Sequence, residues 1–242
     1  MSMHLEHMVA VTGDETMGIG RIMMCAAALL AAAPAPAGSP FAGHYRLKDG
    51  PDVVAELILK PDGRFEYGLS AGALDERSAG RWVETDGKVT LHTEPKPKPP
   101  VFSVGPQSKS ADVPFKLLVT WPNGRGIAGV DFRMGFDSGE WVSDYTQDYG
   151  WTLPGDETRK PRWVELVEPI HRVSSPRFAI DVTKGNVVTF ILTPNDLGVV
   201  DFDGVVIERV VKPDHDDPDI LLHRREGVMK LMKLERANRP RR

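Results

Sequence analysis

Apolar and polar residues alternate through the first third of the chain. Residues 43–47 (GHYRL), 53–59 (VVAELIL) and 64–69 (RFEYGL) are strand-length runs, and Phe65, Tyr67 and Leu69 share one face. Alternation with period two marks a half-buried β-strand. Pro61-Asp62-Gly63 separates the second run from the third, with proline presetting φ and glycine supplying a positive φ. Residues 70–79 are small and charged and are expected as a loop. Residues 80–83 open another strand, Asp86-Gly87 is a two-residue hairpin signal, and residues 89–91 return. Residues 41–93 thus predict an antiparallel meander that must bury one face. Alone it is a half-barrel, since roughly eight strands are needed to enclose a ligand.

The stretch EPKPKPP at 94–100 is stiff, extended and charged, so residues 94–112 are expected as a Pro/Lys-rich linker. Residues 113–236 predict a β-sandwich-like region. Its strands are expected at 115–120, at 127–134 with a bend at Gly129, and at 140–146, with a close at 150–154. Residues 155–176 carry charges and prolines and are expected to cross between sheets. Further strands are expected at 178–182, 187–192, 199–202 and 205–211. For residues 219–236 a hairpin around Gly227 is preferred to a helix, in which that glycine would cost about 1 kcal/mol. Residues 237–242 read as a basic disordered tail. The predicted fold class is all-β: a meander or half-barrel followed by a β-sandwich-like region, with few or no long helices.

The N-terminal pattern is of another kind. Met17 to Arg21 is a short start with one positive charge, residues 22–33 are unbroken small and apolar, and Ala35-Pro36-Ala37 places small residues at a cleavage site. This is the order of a secretory signal peptide, expected over residues 17–37. Residues 1–16 are polar and read as an N-terminal extension, so the start is either Met1 or Met17. The apolar run is shorter than the roughly 20 residues that span a bilayer, so no integral membrane segment is expected after cleavage. Cys25 is the only cysteine and falls within the signal; bulky Met24 before it argues against a lipoprotein. The expected destination is the periplasm or the exterior.

Composition narrows the partners. Removal of residues 1–37 leaves 29 basic and 31 acidic side chains, a near-neutral protein with no cysteine. Nucleic acid, which calls for a strongly basic face, is not an expected partner. No cofactor is expected.

Candidate chemistry is sparse. Gly68-Leu69-Ser70-Ala71-Gly72 matches the G-x-S-x-G elbow of hydrolases, but too few residues follow for the required helix. Residues 214–219 (DHDDPD) cluster carboxylates around His215 without the glycine and closing glutamate of a calcium loop, and His223 is too isolated to complete a zinc site. No metal site is expected. His44, His92 and His171 stand alone, and Asp201 and Asp203 read as a strand end entering a turn. The aromatic stretch is more informative. Trp141, Tyr145, Tyr149 and Trp151 are the candidate ligand-binding residues, because exposed aromatics on a β-sandwich can stack on sugar rings or hold peptide segments. Core packing is the competing role for the same rings.

Two resemblances follow from turn glycines and aromatics. Gly43-x-Tyr45, Pro61-Asp62-Gly63-Arg64-Phe65, Gly80-x-Trp82 and Gly87-Lys88-Val89 resemble the half-barrel of lipocalin-like lipid-binding and stress-response proteins of bacterial envelopes. The same pattern resembles a group of uncharacterised exported proteins. Asn123-Gly124, Ala128-Gly129-Val130, Ser138-Gly139 and Thr146-x-x-x-Gly150 are similar to the transthyretin-like sandwich shared by carboxypeptidase regulatory domains. That second resemblance implies a structural module. The expected function is that of an exported, non-catalytic binding or structural protein with a protein or carbohydrate ligand. The alternatives are a lipocalin-like small-molecule carrier, which requires strands from both chain ends around an apolar cavity, and a hydrolase using Ser70.

Overall fold

A computed structural model describes residues 38–47, 52–210 and 219–234. The expected signal at 17–37, the extension before it, Cys25, most of the acidic stretch and the basic tail lie outside the described residues. Within them the protein is all-β, as predicted.

The first five strands are β1 (Gly43–Leu47), β2 (Val53–Leu59), β3 (Arg64–Ala71), β4 (Leu74–Thr85) and β5 (Lys88–Thr93). They pair in order as an antiparallel meander. The loop expected at 70–79 is instead mostly strand. Ala71 faces Leu74 across the two-residue turn Gly72-Ala73. Its inward positions are Leu74, Glu76, Ser78, Gly80 and Trp82, and the polar ones erased the apolar alternation that a strand would otherwise show.

The meander does not remain a half-barrel. Strands β15 (Val205–Val210), β16 (Asp219–Arg224) and β17 (Gly227–Lys233) complete a closed barrel of order β1-β17-β16-β15-β5-β4-β3-β2. The expected hairpin at Gly227 is β16–β17, with Leu222 opposite Met229. The boundary expected at 113–236 therefore changes: residues 205–233 belong with the first strands. Closure buries the apolar faces of both ends of the described chain in one core and removes both sheet edges. Below its mouth the barrel is filled. Trp82, Tyr45, Phe65 and Phe41 are fully buried there, and Trp82 Nε1 donates to the Lys60 carbonyl at 3.0 Å.

The remaining strands form a sandwich. One sheet has the order β10 (Trp151–Thr152), β7 (Lys116–Thr120), β14 (Val187–Thr193), β6 (Val101–Ser108). The other runs β12 (Val173–Ser174), β11 (Pro161–Glu168), β8 (Asp131–Phe136), β9 (Val142–Tyr145), with β13 (Phe178–Ala179) also on β11. Phe115, Leu117, Phe132, Val164, Phe190 and Leu192 are buried between them in a core of their own. Two expectations change here. Part of the linker is β6, an edge strand that tolerates Pro106 through a register shift in its pairing with β14. Part of the expected crossing is β11, the centre of its sheet.

The sandwich is an insertion. Lys98 N donates to Asp196 Oδ at 2.8 Å, Asp196 N to the Lys98 carbonyl at 3.2 Å, and Asn195 Nδ2 to the Pro99 carbonyl at 2.8 Å. Entry and exit strands thus lie side by side, and Val101 pairs with Thr193.

Candidate functional site

Two inward-facing layers lead to the barrel mouth. Phe202, carried by the chain that returns from the sandwich, packs edge-on against Tyr67 with ring centroids 4.8 Å apart. Above it lies a polar layer contributed by three strands. Arg224, the last inward position of β16, has a side chain only 7% exposed. Its NH1 donates to Tyr67 Oη at 2.5 Å, its NH2 lies 2.8 Å from Glu76 Oε2, and its Nε donates to Glu226 at 3.2 Å. Burial pushes the Tyr67 phenol well above its ordinary pKa, although nearby Arg224 pulls the other way, so the ring stays protonated. Burial by itself would lower the Arg224 pKa; Tyr67, Glu76 and Glu226 outweigh it and the net direction is up. The guanidinium is therefore a permanent buried cation with two carboxylate partners.

Above this layer opens a cavity of about 580 Å³. Leu69, Ala71, Leu74 and Met229 give it apolar barrel walls. Its lid comes from two segments. In the first, residues 169–172, the buried Glu168 carboxylate accepts from the backbone N–H groups of Ile170 and His171 at 3.2 and 2.8 Å. That turn ends on Arg172, held at φ 57° and lining the cavity. A non-glycine side chain in this region of φ is uncommon and marks a constrained turn. In the second, residues 196–200, Arg77 N donates to the Gly198 carbonyl at 2.8 Å and Val200 N to the Arg77 carbonyl at 2.9 Å. Gly198 has φ 80°, and a Cβ there would come within 2.8 Å of the Asp75 carbonyl oxygen, so only glycine lets this lid lie against β4.

None of the aromatic candidates lines this cavity. Trp141, Tyr145 and Tyr149 are exposed, at 49, 53 and 69%. Trp151 is turned inward, edge-on to Phe132 at 5.0 Å, with Nε1 donating to Asp144 at 2.7 Å. Ser70 lies within β3 on its exposed face rather than at a strand-to-helix turn, and none of the described histidines has a hydrogen bond to it. Each of those histidines instead meets a carboxylate: His44 with Glu56, His92 with Asp203, His171 with Glu168 and His223 with Glu208. Among the described residues no group of three or more acidic, histidine or cysteine side chains is placed to hold a metal. No helix among them is long and apolar enough to cross a membrane.

Fold and mouth together define an eight-stranded antiparallel barrel whose opening is roofed by loops of, and beside, an inserted β-sandwich. No protein-family model matches this chain, and no curated protein or solved structure matches it either.

Proposed function

We propose that this is an exported, non-catalytic binding protein that carries a small amphipathic molecule in the mouth of its barrel. The mouth cavity carries the reading. Its volume falls within the roughly 300–1,000 Å³ of small-molecule sites, and it joins apolar walls to a few fixed polar groups. An apolar body fits against Leu69, Ala71, Leu74 and Met229, with polar atoms directed to Arg224 below or Arg172 at the lid. Because the barrel is packed with aromatic rings beneath Phe202, the ligand is compact rather than a long chain threading the lumen. A non-catalytic role is supported by the polar layer. The Tyr67 hydroxyl and the Arg224 guanidinium are engaged with each other, with Glu76 and with Glu226.

Titration with the fluorescent amphiphile dansylundecanoate tests this. The expected result is saturable, one-site enhancement of probe emission. In Ala71→Trp, where an indole fills the mouth, affinity falls by about tenfold or more with the melting temperature retained. Absence of saturable uptake, or unchanged affinity in Ala71→Trp, would overturn the proposal.

A further inference from the structure

The outer face of the β12-β11-β8-β9 sheet bears a second arrangement, independent of the barrel. Strand register sets its rows. Trp163 lies opposite Gly135; Glu165, Arg133 and Ser143 form the next row; Val167, Asp131 and Tyr145 form the third. Trp141, two residues before Ser143, falls on the same side as Ser143 and Tyr145. At about 3.4 Å per residue, Trp141 and Tyr145 stand about 14 Å apart along the strand. Both are half-exposed. Tyr145 lines a groove of about 340 Å³ together with Asp131, Arg133, Ser143, Glu165 and Val167, and Trp141 stands next to it beside Arg133.

Ion pairs and stacked rings lace the groove. Arg133 lies 2.8 Å from Glu165 Oε2, and Arg177 Nε donates to Glu165 Oε1 at 3.0 Å. Glu165 Oε2 is buried and, despite the close guanidinium, has no aligned hydrogen-bond donor. Trp163 is layered between the bare backbone of Gly135, where a Cβ would come within 2.1 Å of its indole, and the Arg177 guanidinium at 3.8 Å. The Arg133 guanidinium lies 5.8 Å from the Trp141 ring. Tyr145 therefore offers ring surface at the groove, and Trp141 offers it on the same face beside Arg133.

We propose that this face binds a neutral oligosaccharide. Pyranose rings present apolar C–H faces that stack on Trp141 and Tyr145, and hydroxyls that both donate and accept. Asp131 accepts those hydroxyls, Arg133 donates to them, Ser143 does either, and Glu165 holds Arg133 and Arg177 in place. Two guanidinium groups, Arg133 and Arg177, stand with two carboxylates, Asp131 and Glu165, so no strong charge selects an anionic or cationic chain. A protein partner fits less well. Its contact energy would need a contiguous apolar centre, and here the centre is an ion pair that a dry interface would strip of water. The edge strand β9, with four residues, is too short to template an added strand.

The test is isothermal titration of the full chain with cellohexaose, maltohexaose and heparin. Binding of at least one neutral hexaose is expected. Trp141→Ala and Tyr145→Ala each weaken it by about tenfold or more, Trp141→Phe retains most of it, and melting temperatures stay unchanged because both rings are exposed. The proposal fails if neither hexaose binds, if heparin alone binds, or if both alanine variants bind the hexaose as the wild type does.

Discussion

Glu157 and Arg159 show how much structure two neighbouring side chains can organise. Arg159 donates to both Glu157 oxygens and to the carbonyls of Ser138 and Glu140, and its guanidinium lies 4.4 Å from the Phe136 ring centroid. It thereby clamps the β8–β9 turn immediately before Trp141. The side-chain hydrogen bond from Arg159, and then its backbone N–H, pull the Glu157 pKa down to about 2. A carboxylate with a depressed folded-state pKa stabilises fully above its unfolded value, here near 4.5, and loses that stabilisation as pH falls toward about 2. Glu157→Gln should therefore be less stable than the wild type at pH near 6, with the gap closing as pH falls through that window. Urea unfolding across this range reads the gap; a difference independent of pH would refute the assignment. The pair is close in sequence and could be noticed there. Arg224 could not, because Glu76 and Tyr67 lie 148 and 157 residues away along the chain. The Trp141–Trp151 aromatics were conspicuous as a group, but only the register separates outward Trp141 and Tyr145 from inward Trp151.

At the scale of elements, hairpins were the most legible part of the protein. Pro61-Asp62-Gly63 and Asp86-Gly87 turn where turn chemistry places them, because backbone preference at a tight turn is local, and the last hairpin turns at Arg225-Glu226, immediately before Gly227. Strands with mixed faces were not legible. The start of β4 hides behind inward Glu76 and Ser78, and β11 alternates tryptophan, glutamate and valine outward against Val164 and Leu166 inward. Residues 199–202 form no regular strand, yet they are central. Ser78 Oγ donates to the Val200 carbonyl at 2.8 Å, and Phe202 N donates to Thr93 Oγ1 at 2.8 Å. This lacing seats Phe202, 1% exposed, between Phe65 and Tyr67. Phe202→Ala should cost about 3–5 kcal/mol of unfolding free energy in urea denaturation, in line with large-to-small core substitutions. A cost below about 1 kcal/mol, the size of an ordinary surface change, would show that the segment does not hold the barrel together.

The described residues form a barrel made from both ends of their span, interrupted by a sandwich whose entry and exit touch. Chains tolerate insertion where the two ends of the insert lie close. Each unit also owns a separate buried core. Replacing residues 99–195 with two glycines should leave a barrel with β-type circular dichroism and a cooperative melt. That barrel loses the 169–172 lid and with it the retention of dansylundecanoate. A chain with no cooperative melt would mean that barrel and sandwich fold only together.

The sequence by itself determined the β class, the turns and the apolar faces, because φ preferences and period-two alternation act over a few residues. Tertiary structure alone decided which strands are neighbours. An apolar face of β1 is satisfied by any partner of matching register, and only the assembled chain selects β17, drawn from nearly two hundred positions away. The same long-range choice places Arg224 beneath a cavity and sets Trp141 and Tyr145 on one sheet face. Both candidate sites are products of strand pairing, and no local pattern encodes that.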